Sequence, residues 1–224
     1  MQLSSERWWE NNSPPSERIQ EEVHQRHLEI IGEPGSVPLS KRLFDFTLAL
    51  FGLIFSAPIW LVSAVLVWIE DPGPILFVKN SVGKGGINFR QFKFRTMVPG
   101  AEESTGPVLA SEEDKRILLV GRILRKTALD ELPQLINILR GEMSFVGPRP
   151  EMPWLVDKYE SWQRKRFEVP QGLTGWWQIN GRADKPMYLH TEDDLFYIRN
   201  YSLWLDFQII LRTVVGVITG RGAY

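Results

Sequence analysis

LFDFTLALFGLIFSAPIWLVSAVLVWI, residues 43–69, decides how this chain is read. The run carries one charged residue, Asp45, in 27 positions. As a single helix it would reach about 40 Å, against a hydrocarbon thickness of roughly 30 Å, so it is long enough to cross a bilayer. Ser56-Ala57-Pro58 interrupts it near the middle. Pro58 has no amide proton and its ring crowds the preceding turn, while Ser56 competes for a nearby carbonyl. Broken there, the arms measure about 20 Å and 16 Å, and neither crosses alone. A re-entrant helix-break-helix element follows, with Ser56 and Pro58 at the break; a kinked spanning helix is the alternative.

The flanks add orientation. Lys41-Arg42 before the run favour a cytoplasmic start. Residues 72–101 contain Lys79, Lys84, Arg90, Lys93 and Arg95 and no acidic residue, so basic charge on both sides places both flanks at the cytoplasmic face. The run lies too far from residue 1 for the apolar part of a cleaved signal peptide. The 224 residues suffice for one catalytic domain beside a membrane element, and a formal charge of -1 conceals the basic middle. Absence of cysteine excludes a disulfide and a thiolate nucleophile. Nine Trp and twelve Phe suit a protein at a membrane interface, although a core or ligand pocket uses the same rings.

Three regions are expected: a polar N-terminal extension over 1–40, the membrane element over 41–71, and a catalytic domain over 72–224 that ends in an amphipathic helix. Within the first, Ser16 to Ile31 fits an amphipathic helix through Ile19, Val23 and His27, and Trp8-Trp9 suit a membrane or partner contact. His24, His27 and His190 lack zinc-ligand spacing. Beyond the apolar run, Ile75 to Val78 and Ile87 to Phe94 read as strands joined by Gly83-Lys84-Gly85-Gly86. Alternation puts Lys93 and Arg95 on one face, a spacing suited to an anion and equally to a solvated surface.

Ser111 to Leu124 reads as a charged helix with an apolar side. Thr127-Ala128-Leu129-Asp130-Glu131-Leu132-Pro133 then enters a second helix that runs to about Leu139 and stops at Gly141, with Asp130 as a candidate cap and Pro133 in the first turn. Carboxylates there are stabilised as anions, which suits Asp130 to nucleophilic attack, Glu131 to magnesium coordination, and both to ordinary capping. In Gly147-Pro148-Arg149-Pro150 two prolines restrict Arg149, whose guanidinium fits paired phosphate contacts or a surface ion pair. From Trp204, an apolar stripe through Phe207, Ile210-Leu211, Val214-Val215 and Ile218 serves either membrane docking or burial. Trp176-Trp177 would support a substrate loop, touch lipid or pack beneath glycines.

Taken together, Lys41-Arg42-Leu43-Phe44-Asp45, Lys93-Phe94-Arg95-Thr96-Met97, Leu129-Asp130-Glu131-Leu132-Pro133-Gln134-Leu135, Gly141 through Pro150, and Pro170 through Arg182 resemble the bacterial sugar transferase family, the monotopic phosphoglycosyl transferases. The resemblance runs from about Lys41 to Leu211 and looks like the short, catalytic-core form. It implies a helix-rich α/β membrane protein with a small β-hairpin or sheet and interfacial helices, at the cytoplasmic face of the bacterial inner membrane. It implies transfer of a sugar-1-phosphate from a nucleotide diphosphate sugar, a uridine diphosphate hexose foremost, to undecaprenyl phosphate, starting polysaccharide or glycoconjugate synthesis. Asp130 would form the covalent phosphosugar intermediate, and Glu131 with Asp130 would hold Mg2+. Lys93, Arg95, Arg149 and Arg182 would bind substrate. Membrane lipids are expected partners, a homodimer is compatible with the polar extension, and no nucleic acid is expected. A non-catalytic membrane scaffold for polysaccharide assembly is the rival reading.

Overall fold

The computed structural model describes residues 37–101, 114–181 and 191–219. The expected N-terminal helix, Trp8-Trp9, the three histidines and Arg182 lie outside the described residues.

Helix α1, Leu39–Glu70, contains the whole apolar run. The interruption expected at Ser56-Ala57-Pro58 is absent as secondary structure, because the helix continues through Pro58. A proline removes one amide donor and crowds the carbonyl four residues back, which weakens a helix without ending it when packing persists on both sides. Here Ala49 and Leu53 pack before the proline, and Trp60, Ala64 and Val67 after it. Nor does Ser56 reach a carbonyl: its buried Oγ has no hydrogen-bond partner among the described residues.

The buried positions of α1 are Lys41, Asp45, Ala49, Ser56, Ser63 and Val67, spaced by four or seven residues along one face. Around this buried stripe the helix exposes Phe51, Phe55, Leu61 and Trp68, among other large apolar residues. Both ends are tied to the same body. Near the start, Arg42 donates to the carbonyls of Ile138 and Leu139, each at 2.6 Å. At the end, the Glu70 carboxylate accepts the amides of Leu119 and Val120, at 2.5 and 2.8 Å, and so caps helix α2, Leu119–Lys126.

Strands β1 (Leu76–Val82) and β2 (Asn88–Phe94) form an antiparallel hairpin in which Phe77 faces Lys93. Lys84-Gly85-Gly86 turns between them, with Gly85 at φ 69°. Of the helix expected over residues 111–124, positions 111–113 lie outside the described residues, 114–118 are not helical, and the helix begins at Leu119. Asp114 accounts for the delay: its carboxylate accepts both the amide and the guanidinium of Arg116, a local turn that competes with helix. Helix α3, Gln134–Arg140, starts after Pro133 and ends at Gly141 in the left-handed region, φ 82°. Two short parallel strands follow, β3 (Ser144–Val146) and β4 (Gly172–Thr174), with α4 (Pro153–Val156) and α5 (Ser161–Arg164) between them. They meet at glycines: a Cβ on Gly147 would lie 2.2 Å from the Pro170 carbonyl oxygen, so only hydrogen fits.

Helices α6 (Trp176–Gly181), α7 (Thr191–Arg199) and α8 (Leu203–Thr219) complete the order. Leu205 and Ile209 of α8 pack with Val146 and Tyr197. The opposite face leaves Trp204, Phe207, Leu211, Val214 and Val215 exposed, which separates the docking stripe from the burial reading for these residues. Trp177 is buried and Trp176 stacks near Phe196 at 4.6 Å, so both pack within the protein. Among the described residues the architecture is thus helix-rich α/β, with one long apolar helix and two small sheets.

Lys41 joins the first helix to the last. Its Nζ lies 3.1 Å from Asp45 Oδ1 and 2.8 Å from Asp206 Oδ2, with all three residues buried. Asp45 Oδ1 also accepts the Phe145 amide at 3.1 Å, and Tyr197 donates to Asp206 Oδ1 at 2.7 Å. Burial pushes the Asp206 carboxyl above the usual carboxylate range, with Lys41 opposing. We predict that Lys41→Met, which strands two buried carboxylates, lowers unfolding stability by about 3–5 kcal/mol. A carboxyl whose folded pKa is raised loses stability as pH rises, so the deficit should be larger at neutral than at acidic pH. Thermal unfolding at several pH values checks this, and Asp206→Asn added to Lys41→Met should recover part of the loss.

Candidate active site

Three separate elements meet at one carboxylate. Lys93 comes from the end of β2, Glu131 from a 3-10 turn over Leu129–Glu131, and Arg149 from the segment after β3. Lys93 Nζ and Arg149 Nη2 each lie 2.8 Å from Glu131 Oε1. Glu131 is buried, and the side chains of Lys93 and Arg149 are partly exposed. The negative charge of Glu131 is the main cause that raises the Arg149 pKa above its usual value.

Asp130 stands next to this cluster. Its removal from water pushes its carboxyl above the ordinary range; Lys93 opposes this, Glu131 reinforces it, and Arg125 and Arg149 oppose it more weakly. The residue is not a helix cap, because α3 starts four residues later, after Pro133, and no side chain caps it. What aims Asp130 is the turn before it. Ala128 occupies the left-handed region at φ 55°, the only described non-glycine residue with positive φ, and its carbonyl accepts the Glu131 amide at 3.2 Å.

Two polar residues hold the hairpin against this turn. Asn137 of α3 accepts the Phe92 amide at 3.1 Å and donates to the Arg90 carbonyl at 2.7 Å, imitating a neighbouring strand. Gln91 donates to Gln134 at 3.0 Å through buried side chains. Lys93 therefore directly follows a residue of β2, Phe92, that is fixed to α3. Arg95 goes elsewhere: it pairs with Asp71 at 2.5 Å and also with the Asp71 carbonyl, at the C-terminal end of α1. Lys93 and Arg95 do not share one anion site.

Arg125 was not singled out by the sequence reading, although it lies five residues before Asp130. Its Nε donates to Thr96 Oγ1 at 2.9 Å, and its charge acts on Asp130. The signal was the basic last turn of α2, Arg125-Lys126, next to the dyad. Ser56 and Pro58 lie on α1, away from the carboxylates in sequence and outside this cluster of contacts. The arrangement sets the Asp130 carboxyl beside cations placed to neutralise a second anion, which suits phosphate chemistry.

A family model described as bacterial sugar transferase matches residues 37–220. The chain is 40% identical over 189 residues to a UDP-N-acetylgalactosamine-undecaprenyl-phosphate N-acetylgalactosaminephosphotransferase of Aeromonas hydrophila, covering 82% of this chain and 44% of that protein. It is 38% identical over 200 residues to the exopolysaccharide production protein ExoY of Sinorhizobium fredii, covering 83% and 88%. It is 41% identical over 194 residues to a UDP-glucose:undecaprenyl-phosphate glucose-1-phosphate transferase of Xanthomonas campestris pv. campestris, covering 83% and 40%. The chain thus spans less than half the length of the first and third.

The strained turn yields a test. Ala128→Gly should leave the fold intact and raise stability by up to about 1 kcal/mol, since glycine adopts this conformation freely. Ala128→Val should lower the melting temperature. Equal melting temperatures for the two variants would show that the left-handed turn is not what sets the path into Asp130.

Proposed function

The chain belongs to the bacterial sugar transferase family, and from that membership we propose that it transfers a sugar-1-phosphate from a nucleotide diphosphate sugar to undecaprenyl phosphate at a membrane face. The carrying observation is the Asp130-Glu131 pair enclosed by Lys93 and Arg149, with Arg125 also acting on Asp130, on a body that displays a long apolar helix. The relatives named above for undecaprenyl phosphate transfer support the acceptor; the hexose of the donor stays a choice among the sugars that such relatives use.

In the first half-reaction an oxygen of Asp130 attacks the phosphorus attached to the sugar. The bond from that phosphorus to the bridging oxygen breaks, and the nucleoside monophosphate leaves with the electron pair. An aspartyl phosphosugar remains. In the second, an oxygen of the lipid phosphate attacks the same phosphorus, the bond to Asp130 breaks, and the carboxylate is regenerated as the polyprenyl diphosphate sugar departs. Dividing the transfer this way lets a water-soluble donor and a lipid acceptor use one site in turn. Lys93 and Arg149, which rest on Glu131, are placed to take phosphate oxygens, and Arg149 offers a fork that lysine lacks. Arg95 and Arg182 are further substrate-binding proposals: Arg95 is engaged with Asp71, and Arg182 lies outside the described residues.

Magnesium is compatible with the donor set. Among the described residues no group of three or more His, Asp or Glu gathers, but magnesium commonly takes one or two carboxylates and completes its shell with phosphates and water. Asp130 and Glu131 would hold it, and when bound it would offset charge on the diphosphate.

We assign 41–71 to a re-entrant membrane element and 72–224 to a catalytic domain on the cytoplasmic side of the bacterial inner membrane, with 1–40 as an extension. Support comes from the two ends of α1, both bonded to the same body through Arg42 and Glu70, and from its buried stripe along the full length. Passing such a helix through a bilayer end to end would draw the charged body in with it, at great cost. The exposed stripe of α8 supplies a second apolar surface.

Asp130→Asn should abolish both turnover and the phosphosugar adduct seen by intact-mass measurement, while the protein still folds and binds membranes; normal turnover would refute the nucleophile. Glu131→Gln should lower transfer by at least about a hundredfold and alter its magnesium dependence. Labels placed before Lys41 and after Asp71 should both react from the cytoplasmic side alone. Labelling from opposite sides would reject re-entry.

A further inference from the structure

Pro148 and Pro150 deprive the backbone around Arg149 of two amide donors. The segment is secured through its carbonyls instead. The Gly172 amide donates to the Pro148 carbonyl and the Val82 amide to the Glu151 carbonyl, both at 2.8 Å. Between them, the carbonyl of Arg149 itself receives a side chain: Arg166 Nη2 donates to it at 3.0 Å. Arg166 is fully buried. Its Nη1 donates to Tyr159 Oη at 2.8 Å and reaches Glu151 Oε1 at 3.5 Å, and its Nη2 lies 2.8 Å from Asp194 Oδ2 on α7. Tyr159 in turn donates to Glu151 at 2.9 Å.

Burying an arginine with two carboxylates is a poor way to stabilise a core, since desolvation cancels much of the attraction. What the guanidinium supplies that an apolar residue cannot is a planar fork with fixed directions. One edge of that fork ends on the main chain of the residue whose own guanidinium meets Glu131. The other contacts reach α4–α5 and α7, so the fork references Arg149 to two further parts of the body.

We infer that Arg166 is a positioning residue for the transfer: it never meets the substrate, but fixes the Arg149 carbonyl and thereby the direction in which Arg149 approaches Glu131 and a phosphate. The substrate in this statement rests on the function proposed above; the Arg166-Arg149 geometry does not.

The test uses the full chain in phospholipid nanodiscs. Arg166→Lys keeps the charge and loses the fork. With melting temperature as the fold control, its kcat should fall at least about tenfold while KM for the nucleotide sugar changes less than about threefold. In an Arg149→Ala background the same replacement should cost no further activity, because residues acting as a unit are not additive. A multiplicative loss in that background, or an unchanged kcat, overturns the inference. Should Arg166→Lys fold poorly, Tyr159→Phe loosens the same fork by one hydroxyl and should cost about two- to fivefold, again only when Arg149 is present. A second readout needs no turnover. The side-chain nitrogen resonance of Arg149, assigned by its loss in Arg149→Ala, should show hindered rotation in the parent protein and free rotation in Arg166→Lys. An unaltered resonance overturns the positioning role even if the parent makes no lipid-linked product, an outcome that would refute only the proposed reaction.

Discussion

One carboxylate oxygen, Glu131 Oε1, accepts Lys93 and Arg149 at the same distance, and the remaining architecture can be understood as what brings those three groups to one point. Two cations in a partly desolvated space repel, and a shared anion removes that repulsion before any ligand arrives. In the proposed reaction, an incoming phosphate would meet side chains already ordered, with little reorganisation left to do. Each arm of the arrangement has its own anchor: Asn137 for the hairpin, the Ala128 turn for the carboxylates, and carbonyl-directed bonds for the segment of Arg149.

The second large constraint is the apolar surface. Helix α1 gives one stripe to the core and the rest to the outside, and α8 repeats the division with Ile209 inward and Trp204 outward. Lys41 binds these two helices to each other through Asp206. The two apolar surfaces are therefore mechanically joined by a buried charge pair.

Much of this was legible in local patterns. Alternation marked β2, and a helical period marked the exposed stripe of α8, because both record which side of an element meets the core; β1, expected over Ile75 to Val78, runs on to Val82 through polar residues that carried no such signal. Gly141 was readable as a helix stop for the same local reason. Where the pattern failed, the deciding partner lay far along the chain. Arg95 looked like a companion of Lys93, yet Asp71 claims it from the end of α1. The proline in α1 looked like a break, yet packing on both flanks keeps the helix continuous. Strands β3 and β4 are three residues each, too short to show a period, and only the contact between their glycines reveals them. Of the dyad, the residues were visible but the geometry was not: a left-handed alanine cannot be inferred from its type.

Asn137 has an effect beyond aligning Lys93. By engaging the Phe92 amide and the Arg90 carbonyl, it occupies the outer edge of β2, where an unpaired strand would otherwise offer a template to another chain. A single amide side chain on a neighbouring helix thus closes the sheet to growth at that edge. The same residue that registers the hairpin thus also keeps that stretch of strand edge from pairing with a second chain.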